Sequence, residues 1–535
     1  MIVALAFIAT VVQHTTDVAA DAPVQSAAMV STATTCQNLT NLKLPNATVT
    51  FAAKATTVPA PAGGGGRSEG QASSDPPAFC RVALTLKPSY DSDIRAEVWM
   101  PLTGWNGKLH GIGNGGYAGS IRYAAMADSL RMGYAVASTD MGTGPADGTR
   151  SQGIAALPGH PERWIDFGYR STHEMTVDAK EIIRTFYGDG PSYSYFSGCS
   201  TGGFQGLREV QRFPEDYNGY LVGAPGIDRA RQHMAMLWNA ALVLKNPQHV
   251  LSVEKLKLVN DAVLAACATK YPGGRTDPFV QHPNDCNWSP EALRCQGSSS
   301  EGCLTQGQVD LVHKLYSGPV NARTGEVIYP GFTRGSELGW SSIMNTKAIP
   351  YLEVFTSVFG PHWDWRTFDW DKDVATLDTV SRPIIATLEV DLTRAQQLGN
   401  KILMYKGYSD LTQAPGITIN YYKAVIEDLA RRSELDIAQA TDKTQEFFRF
   451  FMFPGMGHCG GGPAPDTHDG FNALTKWVET GLAPDQMTAS HRNAEGVVDM
   501  TRPVCPFPLE ARYKGAGDPS DASSFACVKT ATRTW

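Results

Sequence analysis

Two serines stand in the pattern Gly-x-Ser-x-Gly, "GRSEG" at 66–70 and "GCSTG" at 198–202. With 52 glycines among 535 residues, a bare match carries little weight, so the flanks must decide. A nucleophilic serine needs a sharp strand-to-helix turn, with glycines on either side relieving the crowding and leaving the hydroxyl clear of the backbone. Ser68 lies in "VPAPAGGGGRSEGQASSDPP", which has no apolar run before it and no helical period after it and reads as a linker or loop. Ser200 follows the β-prone "YSYF" and precedes Phe204, Leu207, Val210 and Phe213 at helical spacing, with a short strand "GYLVGAP" beyond. Ser200 is the expected nucleophile. The backbone N–H of Thr201, next in the chain, is one expected donor to an oxyanion.

A serine nucleophile needs a histidine base oriented by a carboxylate, and after a strand-turn-helix serine the chain order is Ser, then Asp or Glu, then His. Of twelve histidines, only His458, His468 and His491 follow a plausible acid, and only His458 ends a clear strand, "FFRFFMFPGMGH", on a glycine-rich loop. A metal site is the rival use of histidine, but no His-x-x-x-His or Cys-x-x-Cys spacing occurs. The acid belongs after the preceding strand. "KILMYKGYSDLTQAP" offers Asp410; Asp391, after "IIATLEV", is its competitor.

Ten cysteines, an even set with close local spacings, fit an oxidising compartment. Cys267 with Cys286, Cys295 with Cys303, Cys505 with Cys527 and Cys36 with Cys80 would each close a local loop, leaving Cys199 and Cys459. Those two flank Ser200 and His458, so a meeting of serine and histidine would bring them within disulfide reach; Cys505 is another conceivable partner for Cys459. The start, "MIVALAFIATVVQHTTDVAADA", has an apolar run too short to span a bilayer and reads as a signal peptide over 1–22. Export to the periplasm or the medium follows as an expectation.

These groups must be held by elements that the pattern locates at 97–100, 109–112, 134–138, 193–197 and 220–222, with further strands near Ile402 and Phe447. That is an α/β chain in the manner of an α/β-hydrolase. Val222 and Ile402 are 180 positions apart, far more than a crossover needs, so a lid is expected just before the acid-bearing strand. The expected division is an N-terminal segment with a Gly/Pro/Ser-rich loop at 23–76, core at 77–228, lid at 229–394 and core again at 395–535. The lid holds four cysteines and the aromatic-rich "VFGPHWDWRTFDWDKD", either a pocket wall or internal packing. A net charge of −7 without a basic block argues against nucleic acid. No later run reaches the length of a membrane span, leaving a small molecule as the expected partner.

Taken together, "WNGKLHGIGNGGYAG", "GYAVASTDMG", "FSGCSTGG", "LVGAPG", "FPGMGHCGGGPAPD" and "TRPVCPFPLEARYKGAGD" resemble, in order, the tannase and feruloyl esterase family of secreted serine esterases, which also contains mono(hydroxyethyl) terephthalate hydrolase. The resemblance runs from about Cys36 to the C-terminal region. It implies Cys199-Ser200, Asp410 and His458-Cys459 as the catalytic arrangement, with the two cysteines bonded. It favours Gly116 as the second oxyanion donor, with Gly115 the near alternative. It implies hydrolysis of aromatic-acid esters, feruloyl or galloyl in type, with terephthalate half-esters or, further off, peptides as alternatives. Members often carry a structural Ca²⁺ on an Asp-rich lid loop. Here that loop reads "CATKYPGGRTDPFVQHPNDC", with only Asp277 before Asp285, short of the oxygens that Ca²⁺ takes. No cofactor and no metal are expected.

Overall fold

The computed structural model describes residues 34–59, 76–117, 119–144, 153–297 and 301–529. Ser68 and the apolar N-terminal run lie outside them. Nine strands form one sheet: β1 (Ala47–Ala55), β2 (Phe79–Leu86), β3 (Ile94–Pro101), β4 (Lys108–Ile112), β5 (Ala135–Thr139), β6 (Tyr193–Cys199), β7 (Gly219–Gly223), β8 (Lys401–Gly407) and β9 (Phe448–Phe453). Their spatial order is β1-β2-β3-β5-β4-β6-β7-β8-β9. The β1-β2-β3-β5 edge pairs antiparallel, and from β5 through β4 and β6 to β9 every pairing is parallel. Parallel strands are covered on both faces and so read as continuous apolar runs. In β8, Ile402 and Met404 face one way onto Tyr422, Val425 and Ile426 of the helix Pro415–Ser433. Leu403 and Tyr405 face the other way, onto Leu474 of the helix Gly470–Thr480. This is the α/β-hydrolase architecture, with helices on both sides of a mostly parallel sheet.

The pattern did not reveal β1 and β2, nor the C-terminal hairpins β10 (Met487–Arg492) with β11 (Val498–Val504) and β12 (Glu510–Tyr513) with β13 (Phe525–Val528). β1 reads "ATVTFAAKA", where small residues blur the alternation between faces. "IIATLEV" is no strand: Pro383 sits in the first turn of a short helix, Arg382–Ile385.

Among the described residues, 224–400 add no strand to the sheet and fold instead as helices and loops. Their aromatic run packs on itself. The Trp363 ring lies 5.2 Å from Phe355 and 5.4 Å from Phe359, and Trp370 lies 4.8 Å from Phe368 and 5.1 Å from Trp238. Five disulfides join Cys36 to Cys80, Cys199 to Cys459, Cys267 to Cys286, Cys295 to Cys303 and Cys505 to Cys527. No helix among the described residues is long and apolar enough to cross a membrane.

Candidate active site

Ser200 sits between β6 and the helix Thr201–Arg212 with φ 63° and ψ −115°, a left-handed backbone that a serine adopts only when its surroundings impose it. Two contacts impose it. The Ser200 N–H donates to the Gly223 carbonyl at 3.0 Å, and the Gly202 N–H donates to the Asn114 carbonyl at 2.7 Å. The elbow is packed so closely that a Cβ on Gly198 would lie 2.6 Å from the Gly202 Cα, and one on Gly113 2.5 Å from that same atom. Close approach of backbones therefore explains the glycines of "GCSTG".

Asp410 follows β8 and is fully buried, whereas the His458 side chain, beyond β9, is 25% exposed. Asp410 Oδ2 accepts from His458 Nδ1 at 2.8 Å, and Oδ1 accepts from the backbone N–H groups of Thr412 and Gln413 at 2.8 and 3.0 Å. A carboxylate only accepts, so Nδ1 carries a proton, and in the neutral ring that tautomer leaves on Nε2 the lone pair a general base requires. β8 and β9 pair directly, and beyond them the Ser409 N–H donates to the Met456 carbonyl at 2.9 Å, which registers the acid loop against the histidine loop.

The same Asp410 oxygen also accepts from Lys406 Nζ at 2.6 Å, in a pair with both side chains fully buried. Burial alone would push the Asp410 carboxyl up; the Lys406 ammonium and His458 outweigh it and hold the group at about 2. Burial in turn lowers Lys406, against the pull of Asp410. Sequence reasoning missed Lys406. Four residues apart marks a shared face on a helix, but across a strand end it marks nothing.

The disulfide Cys199–Cys459, with Cα atoms 5.9 Å apart, ties the residue before Ser200 to the residue after His458. Ser200 Oγ makes no hydrogen bond to His458 in this structure, as happens in free sites whose alignment tightens on substrate binding. Thr201 N–H and Gly116 N–H have no acceptor among the described residues. The two residues are joined directly, since the Thr201 hydroxyl donates to the Gly116 carbonyl at 2.6 Å. The Tyr351 ring, from the helical stretch between β7 and β8, comes within 5.5 Å of Tyr117.

The other candidates lie elsewhere. Asp391 is on the surface, 3.2 Å from Arg432. His491 pairs with Asp499 at 2.6 Å on the β10-β11 hairpin, and the His468 ring packs on Tyr405 and Phe453. Both Asp277 oxygens are engaged, by Tyr271 at 2.6 Å and Arg502 at 2.8 Å. The metal-type grouping found among the described residues is His173, Glu209 and Asp216, whose ligand atoms lie within 4.8 Å of one another. Burial and the facing Asp216 raise Glu209 well above its ordinary value.

A family model described as tannase and feruloyl esterase matches residues 80–528. A Xanthomonas campestris protein described as an uncharacterized esterase is 33% identical, over 93% of this chain and 92% of its own. A probable feruloyl esterase B-2 of Aspergillus terreus is 31% identical, over 92% and 95%. The crystal structure of feruloyl esterase B from Aspergillus oryzae superposes with a TM-score of 0.78 at 28% identity, covering 92% of this chain and 99% of that one.

Proposed function

From a chain that belongs to the tannase and feruloyl esterase family, and so is a carboxylic ester hydrolase, we propose the hydrolysis of aromatic-acid esters, feruloyl or galloyl in type, by a triad of Ser200, His458 and Asp410. The observation that carries the reading is the Asp410–His458 bond of 2.8 Å with the Cys199–Cys459 bridge beside it. Ser200 Oγ attacks the ester carbon while His458 Nε2 takes the serine proton. The carbonyl oxygen, now an anion, is met by Thr201 N–H and Gly116 N–H. His458 returns the proton to the leaving alcohol, and water repeats the sequence on the acyl-enzyme. Asp410 keeps the imidazole in its tautomer and balances the imidazolium charge.

The same reading takes 229–394 as a lid, the chain as exported, and the reaction as free of cofactor. Five bridges and the N-terminal apolar run support export, and the engaged Asp277 carboxylate supports a lid loop without Ca²⁺. Purified enzyme, with and without EDTA, is to be assayed on methyl ferulate, methyl gallate and mono(hydroxyethyl) terephthalate. Turnover of ferulate or gallate, unchanged by EDTA and absent in Ser200→Ala, is the expected result. Turnover confined to the terephthalate half-ester would reassign the substrate; activity surviving in Ser200→Ala would remove the triad.

A further inference from the structure

Arg229 opens the helix Arg229–Lys245 and is 4% exposed. Its partners are the two residues proposed to hold the oxyanion: Nη1 donates to Thr201 Oγ1 at 2.8 Å and Nη2 to the Gly116 carbonyl at 3.4 Å. The triangle closes through the Thr201 hydroxyl, which donates to that same carbonyl at 2.6 Å. Each role in it is forced, since a guanidinium only donates and a carbonyl only accepts, leaving the hydroxyl to do one of each. Gly116 has φ 57°, a backbone of its own choosing for glycine alone, and its carbonyl is now fixed from two directions. Fixing that carbonyl sets the plane of the following peptide and anchors Gly116 from its C-terminal side.

The charge of Arg229 is not cancelled nearby. Among the described residues no carboxylate pairs with it, and Nε has no partner at all. Asp228, next in the chain, is taken by Arg382 at 2.8 Å. The guanidinium instead lies against aromatic faces, 4.5 Å from the centre of Tyr117, 5.2 Å from Phe167 and 5.5 Å from Phe204. Buried cations are ordinarily paired with carboxylates because desolvation is costly. A cation left unpaired beside residues that meet a developing anion is what preorganised stabilisation requires.

We propose that Arg229 is a positioning residue of the oxyanion hole: it locks Thr201 and Gly116 together, and it leaves one positive charge uncompensated beside the tetrahedral intermediate. This rests on the reading of Ser200 as the nucleophile. Direct removal of an oxyanion donor lowers kcat by about a hundredfold to a thousandfold; a residue acting through two such donors should give somewhat less.

The test compares wild type, Arg229→Met and Arg229→Lys on methyl ferulate, with phenylboronic acid as a tetrahedral mimic, ferulate as the ground-state ligand and a fluorophosphonate to label Ser200. Arg229→Met is expected to lose about 30-fold in kcat with KM within about threefold, to weaken phenylboronate by about tenfold and to leave ferulate binding unchanged. Arg229→Lys restores charge but not the two-point bond, and should recover only part of kcat. If Arg229→Met does not fold, Thr201→Val removes the hydroxyl at the centre of the triangle and should lower kcat by about tenfold. A folded Arg229→Met, or in its absence Thr201→Val, with kcat within threefold of wild type overturns the proposal, as does a loss carried equally by ferulate binding. Wild-type enzyme unlabelled at Ser200 overturns the nucleophile reading and this proposal with it; a labelled Ser200 beside unimpaired Arg229 variants overturns this proposal alone.

Discussion

Replacing Cys199 and Cys459 together by alanine separates two roles of their bridge. The bond closes a loop of 260 positions, for which the chain-entropy relation gives about 19 cal/mol/K, or about 5–6 kcal/mol at 25 °C, as an upper figure. That contribution acts on the unfolded chain and moves no atom of the site. The second role is local. Ser200 at φ 63° and Cys459 at φ 66° both hold left-handed backbone without being glycine, and the bridge lies between these two turns. Freed from each other, they can relax, and a displacement of about 1 Å at the reacting atoms costs on the order of a hundredfold. The double variant should therefore show both a lower urea midpoint and, at 25 °C without denaturant, a kcat on methyl ferulate reduced about a hundredfold with near-UV circular dichroism preserved. Labelling by a fluorophosphonate should slow in proportion. A folded double variant whose kcat stays within threefold of wild type would refute the positioning role while leaving the stability role intact. Non-reducing peptide mapping that joined Cys199 to any partner other than Cys459 would refute both.

Ser200→Ala should lower turnover by at least a thousandfold with an unchanged thermal midpoint, whereas Ser68→Ala should leave both as they are; steady-state assays with calorimetry check this. Lys406→Met strips the buried Asp410 carboxylate of its ammonium and should destabilise by about 3–5 kcal/mol; the further change Asp410→Leu should recover much of that loss, yet leave the enzyme inactive. Urea titrations at each pH report it. Because Asp410 is held at about 2 in the folded state, below the ordinary carboxylate value of about 3.9, its stabilising contribution is present above about pH 4. It is lost as the pH falls from there through 2. Urea midpoints of wild type should fall across that window more steeply than those of Asp410→Asn, and equal slopes would contradict the shift.

What could be read from the sequence was whatever depends on neighbours along the chain. "YSYFSGCSTGG" combines a β-prone run, a glycine-flanked serine and a helical period, so element and candidate residue could be read from a dozen letters. β8 and β9 were visible for the same reason, as apolar runs ending in Asp- and His-bearing loops. β1 was not, because "ATVTFAAKA" offers no clear alternation, and β11 was hidden because "VDMTRPV" carries Arg502 and Pro503 in its buried half. Lys406 and Arg229 were invisible for a different reason. Lysine and arginine are mostly surface residues, and nothing in "MYKGYSD" or "GIDRARQ" says that these two are buried. Their burial is a property of what packs above them, in Arg229's case Tyr117 and Phe204 from distant segments.

The two buried cations then divide the electrostatics of the site between them. Lys406 shares Oδ2 of Asp410 with His458, so the carboxylate proposed to steady the imidazolium is already partly neutralised before reaction. Taken alone, that weakens the pull of Asp410 on the proton that His458 would remove from Ser200. Arg229, with no carboxylate partner among the described residues, leaves the opposite end of the site positive. In the proposed reaction, attack by Ser200 moves one positive charge onto His458 and one negative charge onto the carbonyl oxygen. On the reading offered here the first is held less tightly than an unshared carboxylate would hold it, and the second more tightly than two neutral N–H groups could. Stabilisation is thereby shifted from the base toward the oxyanion. Arg229→Met should therefore lose about 30-fold in kcat, whereas Asp410→Asn, which also loses the tautomer that His458 needs, should lose on the order of 10⁴-fold; a kcat for Arg229→Met within threefold of wild type would show that the oxyanion gains nothing from the unpaired charge.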